Sequence, residues 1–104
     1  MSSDGSPYAR FRRALETGNL AIVRAAATEL PRVELDDALR VCLIVREQDR
    51  DRYEQAAVRW LARFCLERPR ASLNDVIEAA VAFERMAREP ERGLEALQAV
   101  WARV

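Results

Sequence analysis

The side chains in this chain that could do acid, base or metal chemistry are its carboxylates, because most other candidates are missing. None of the 104 residues is histidine, which removes the commonest general base and metal ligand. There is no lysine either. All seventeen basic residues are arginine, so Schiff-base chemistry and the lysine of a phosphate-binding loop are both out. Gly5, Gly18 and Gly93 stand alone and form no phosphate-cradling loop. A thiolate at Cys42 or Cys65 would lack an imidazole partner, and neither has the spacing of a zinc site. What remains is Asp49-x-Asp51-x-x-Glu54, three carboxylates near one turn, a pattern able to hold a hard cation. It lacks the glycine and the closing glutamate of an EF-hand loop. Arg50 and Arg52 interleave with it, so a self-paired, solvated charge run is the simpler reading. Glu78 and Glu84 offer a conceivable pair of catalytic carboxylates, but Arg85 and Arg88 nearby make them ordinary helix-surface positions. No catalytic, cofactor-binding or metal-binding residue is assigned, and an enzyme built on carboxylates and arginine alone is the weakest of three functional readings.

Recognition is the stronger reading. Seventeen basic residues balance seventeen acidic ones, so no overall field draws the chain to nucleic acid or an anionic membrane. The local distribution is uneven. Residues 55–70 carry four arginines against Glu67, a net of +3, whereas residues 34–54 carry seven acids against four arginines, a net of −3. Arg59 and Arg63 lie one helical turn apart beside Trp60 and Phe64. Such a ridge can bind phosphate, stack on bases or clamp an acidic helix. The plainer account makes the two aromatics core and lets the arginines pair with acids of the preceding helix. Trp101, near the C-terminus, either closes the core or presents an apolar face to a partner. Arg59, Trp60, Arg63 and Trp101 are therefore the candidate partner-binding residues, since tryptophan and arginine dominate interface energetics.

These side chains have to be held by helices. Ser6-Pro7 reads as an N-cap followed by proline at the first helical position. Tyr8, Phe11, Ala14 and Leu15 recur at helical spacing up to Thr17, and Gly18 closes that helix. Asn19 caps a second, with Leu20, Val23, Ala26, Ala27 and Leu30 on one face and Pro31 as its stop. A third begins near Glu34, with Asp36 and Asp37 in its first turn. Its run Val41-Cys42-Leu43-Ile44-Val45 would suit a buried strand, but helix-forming flanks make it a helix, apolar all round and so central. The polar stretch 46–55 reads as a tight turn near Asp49, with Asp49 or Asp51 as cap, in preference to a solvated stretch of one long helix. The fourth helix carries Tyr53, Ala57, Trp60, Leu61 and Phe64, widened by Cys65 and Leu66, and ends at Pro69. Ser72 and Asp75 form a capping-box-like start for the fifth, whose apolar face is Leu73, Val76, Ile77, Ala80, Val81 and Phe83. Pro90 opens the sixth, with Leu94, Leu97, Val100, Trp101 and Val104. Helix starts near 7, 19, 34, 50, 72 and 90 hold no fixed period. The expected fold is an all-α compact bundle of about six short helices arranged as helical hairpins. The alternative is a short α-solenoid, TPR-like or HEAT-like. Residues 1–6 are read as a tail and residues 7–104 as one helical domain.

The stretch from Arg52 to Glu67, RYEQAAVRWLARFCLE, with the acidic turn before it and Pro69 after it, resembles segments of small, uncharacterised helical proteins of high-GC Gram-positive bacteria. The resemblance spans roughly residues 33–100 and implies a bacterial source but no mechanism. GC-rich codons would also account for the abundance of arginine and alanine. No apolar run approaches the ~20 residues that span a bilayer. The start has no apolar leader segment and the two cysteines form no framework, so the expected location is cytoplasmic. The expectation for function is a non-enzymatic protein–protein interaction or self-assembly module, without cofactors. Its partner is a protein or a further copy of itself. A nucleic-acid-associated regulator using the Arg59/Arg63 ridge comes second.

Overall fold

Local stop and start signals set the helix boundaries. The computed structural model describes residues 5–104, so residues 1–4 of the expected tail lie outside it. Helix α1 runs Pro7–Thr17. The Ser6 hydroxyl accepts from the Ala9 N–H at 3.0 Å, and Gly18 takes the left-handed conformation (φ 66°) that ends the helix. Asn19 caps α2, Leu20–Ala27, by accepting from the Ile22 N–H. A second cap arrives from a distance, where the Gln48 side-chain oxygen accepts from the Leu20 N–H at 2.6 Å. Helix α2 is shorter than its apolar pattern predicts. It stops before Pro31 can act, with the Thr28 hydroxyl bonded back to the Ala25 carbonyl and Leu30 folded into the turn beyond.

Helix α3 covers Leu35–Gln48, so the apolar run at 41–45 is helical. A single 3-10 turn, Arg50–Arg52, leads directly into α4, Tyr53–Glu67. The turn is where the sequence places it, and Asp49 occupies its N-cap position, but no side-chain capping bond forms there. The connection is a backbone bond from the Arg52 N–H to the Asp49 carbonyl, and the Asp49 carboxylate faces Arg52 at 3.4 Å. Helix α5, Leu73–Arg88, opens on a full capping box, Ser72 and Asp75 each accepting from the other's backbone N–H. Helix α6 is Pro90–Arg103.

Successive helices pack on one another, as they would in an open array. However, α6 returns against α3 and closes a bundle with extents of 44 × 28 × 20 Å. Helix α3 is central, touching α2, α4 and α6. One buried cluster joins Phe11, Val23, Leu39, Phe64, Met86 and Leu97 from all six helices. Two contacts hold the ends of the bundle in register. Arg103 bridges from the last turn of α6 to Asp75 and Glu78 at the start of α5. Arg46 and Arg50 both donate to the Ala87 carbonyl, covering the negative end of the α5 dipole. Gly93 sits where a Cβ would overlap the Met86 backbone, so the α5–α6 hairpin packs backbone to backbone.

Helix α1 is tied to α3 through a carboxylate. Asp37 is only 2% exposed, and it accepts from the Tyr8 hydroxyl at 3.1 Å and from Arg12 at 2.6 Å. Partial burial of the phenol, together with that bond, holds the Tyr8 pKa above its usual value.

Candidate functional site

The four residues singled out from the sequence do not form one surface. Trp60 is 2% exposed, and its indole N–H donates to the Leu35 carbonyl at 2.8 Å. Its ring stacks on Phe64 and meets Phe83 and Trp101 edge-on, which makes it the hub of the aromatic core. Arg63 is half-buried and committed at both ends of its guanidinium. It donates to Glu67 one turn on and to the Val33 carbonyl, each at 2.8 Å. Its partners are thus its own helix and the loop before α3, not the acids of α3. The Glu67 carboxyl is raised by desolvation, but its bonds to Arg63 and Arg32 outweigh this and hold it below the usual range. Arg59 is exposed and pairs with no described residue. Trp101 is half-buried, with one face covered by the Arg68 guanidinium at 3.8 Å. The ridge therefore separates into one free arginine, one internal strut and two packed tryptophans.

The carboxylates singled out from the sequence form no metal cluster. Among the described residues no group of three or more His, Cys, Asp or Glu side chains could hold a metal ion. Glu78 is taken by Arg103, while Glu84 stands on the far side of α5. Cys42 is buried, which pushes its thiol up to about 12; Cys65 is exposed on α4. No described helix is long and apolar enough to cross a membrane.

The unexplained surface lies on α5. Leu73, Ile77 and Val81 recur every fourth residue and were expected in the core, yet they are 78%, 52% and 56% exposed. The core side of α5 is instead Ala79, Ala82, Phe83 and Met86. The cause is that α5 is apolar on two faces. The row ending in Met86 includes two alanines, which allow α4 and α6 to approach closely. The bulkier row is then left facing outward. Likewise, Cys65 and Leu66, expected to widen the buried stripe of α4, are exposed.

A cleft flanks this exposed row on each side. Toward α4, a cleft of about 470 Å³ has Tyr53, Ala57 and Phe83 as its floor and Val58, Leu61 and Ala80 as its walls. Glu54, Glu84 and Arg88 stand at its rim, and none of them pairs with a described residue. The Tyr53 hydroxyl does not serve this cleft. It donates to the Phe83 carbonyl at 2.6 Å, and burial raises its pKa well above that of a free phenol. Toward α6, a cleft of about 290 Å³ runs beside Ile77, Val81, Ala96 and Val100. This surface offers an apolar crest and two shallow grooves, which suits the packing of a helix. Sequence reasoning missed it, although the signal was there: one helix carries two apolar rows on nearly opposite sides, about 170° apart at 3.6 residues per turn, and a single core contact buries only one of them.

Comparison with known proteins adds no identity, because no family model, no curated protein and no solved structure matches the chain.

Proposed function

We propose that this chain is a non-enzymatic, cytoplasmic helical interaction module whose docking surface is the outward face of α5 with its two flanking clefts. The observation that carries this reading is the row Leu73, Ile77 and Val81, three large aliphatic side chains at least half exposed on one well-formed helix. Isolated exposed apolar residues are ordinary, but a contiguous row lying between grooves marks a binding face. The residue chemistry agrees with this. Histidine, lysine and a glycine-rich loop are all missing from the chain, and its charges cancel. Nucleic-acid binding through the arginine ridge has less support, because Arg63 and Trp60 are held by internal hydrogen bonds and only Arg59 is free to reach a phosphate.

The test is affinity capture from nuclease-treated lysate with the wild-type chain, an Ile77→Glu/Val81→Glu variant and an Arg59→Glu variant. A stoichiometric protein, or a second copy of the chain itself, should be retained by wild type and by Arg59→Glu and lost by the α5 variant. Retention by the α5 variant with loss by Arg59→Glu would overturn the assignment and favour the ridge.

A further inference from the structure

We propose that the occupant of the α5 face is a second copy of this chain, whose own α5 packs across it with the twofold axis passing beside Ile77. This rests on reading that face as a docking surface and adds the partner.

Three observations select a second copy. The first is shape. Leu73, Ile77 and Val81 form an i±4 ridge, and a groove lies on each side of it, about 470 Å³ toward α4 and about 290 Å³ toward α6. A groove alone requires a ridge from elsewhere. This face supplies both, so it is complementary to itself, as an isologous contact must be. Two i±4 ridges interdigitate when helices cross at about −50°, the commonest packing class in globular proteins. The second observation is symmetry along the chain. Leu73 and Val81 each lie four residues from Ile77, so the axis sets Leu73 of one copy against Val81 of the other and closes the two ridges on themselves. The third is charge. Arg70 lies in the turn that leads into α5 and Glu84 near the other end of its outward face, both exposed and neither paired with a described residue. The same axis brings the N-terminal end of each α5, with Arg70 in the turn before it, toward the Glu84 end of the other, so two opposite-charge contacts can form per dimer. A chain of zero net charge adds no long-range repulsion between copies. A contact of one crossed helix pair with its groove walls falls near the lower end of stable interfaces, roughly 600–800 Å² per partner, so the dissociation constant should be micromolar.

Sedimentation equilibrium on the full chain tests this. The mass should rise from the 11.9 kDa of the monomer to twice that value between low-micromolar and sub-millimolar concentration. Ile77→Glu places two carboxylates face to face at the axis and should weaken the dimer about 100-fold or more. Leu73→Glu, at a position 78% exposed and so harmless to the fold, should act in the same direction. Circular dichroism should show unchanged helicity for both. Arg70→Glu and Glu84→Arg should each weaken association about 3- to 10-fold, and the double variant should recover to within about 2-fold of wild type. A dimer indifferent to Ile77→Glu and Leu73→Glu overturns the proposal, as does a double charge swap that fails to recover. A wild-type chain monomeric throughout overturns the second copy as occupant, whereas the docking-face reading falls only if the α5 variant still captures its partner from lysate.

Discussion

Gly93→Ala should destabilise the bundle, although alanine is the better helix former. In an isolated helix interior the change would gain about 0.5–1 kcal/mol from backbone entropy. Here the new Cβ would overlap Cα, Cβ and N of Met86. Two of those three atoms are backbone, so no change of rotamer relieves the overlap. Ordinary carbon contacts lie at about 3.5–4.0 Å, so α5 and α6 would have to part by on the order of 1 Å. That parting would loosen Met86 and Leu97, both fully buried between these helices and α3. Overpacking of a close-packed core costs about 1–3 kcal/mol and occasionally more, and a backbone clash sits at the upper end. Taking off the propensity gain leaves a net loss of about 2 kcal/mol, equivalent to a fall in Tm of about 8–16 °C for a domain of this length. Urea unfolding followed by circular dichroism measures it, with Gln98→Ala on the exposed side of α6 as a control expected to change little. An unchanged or raised midpoint in Gly93→Ala would mean that the α5–α6 hairpin is not packed backbone to backbone, and would withdraw the account of why the row beside it faces outward.

Three further outcomes follow from the same contacts. Asp37→Ala removes the acceptor shared by Tyr8 and Arg12 and should cost about 1–3 kcal/mol, read as a lowered urea midpoint with α1 losing hydrogen-exchange protection before α3 does. The Asp75 carboxyl is held below the usual aspartate range by the Ser72 backbone N–H and then by Arg103. A carboxyl depressed on folding adds stability above its unfolded pKa of about 3.9, and that stability is lost as the pH falls through the folded value, so wild type should weaken in acid more steeply than Asp75→Asn. A thiol-reactive dye should label Cys65 at once in the native chain and Cys42 only after denaturation, because burial both shields Cys42 and pushes its thiol up to about 12; rapid labelling of two thiols would contradict the packing of α3 on α4.

The helix count and most boundaries were legible because their signals are local. Ser6 before Pro7, Gly18 before Asn19, and Ser72 with Asp75 each act within three or four residues, and each makes the bond that its spacing implies. What sequence could not supply was the choice among faces. The outward row of α5 and its inward row are both apolar and both helical in period. Only the packing of α5 against α4 and α6 decides which is buried, and that depends on how the whole bundle closes, including the return of α6 onto α3. Trp60 was ambiguous for the same reason. An arginine–aromatic ridge and a core aromatic flanked by arginines have the same pattern, and the bond from Trp60 to the Leu35 carbonyl depends on how α3 lies against α4.

The abundance of arginine, which codon usage would explain without any structural cause, also has a structural use. Arg46 donates through two nitrogens to the Ala87 carbonyl while a third reaches Glu47, and Arg63 joins Glu67 to the Val33 carbonyl. Arg103 holds two carboxylates of α5 with one nitrogen, and the Arg68 guanidinium lies over the Trp101 ring. The rigid fork and planar face of guanidinium allow the bridging and stacking contacts among these, and a lysine ammonium has neither. Charges committed to internal contacts cannot also recruit a partner. The free charges flanking α5 are few: Glu54, Glu84, Arg88 and Arg70. They stand near the row of Leu73, Ile77 and Val81, three large apolar side chains on one helix that the bundle leaves uncovered. That coincidence of free charge and uncovered aliphatic surface, and not the arginine content itself, is what points to α5.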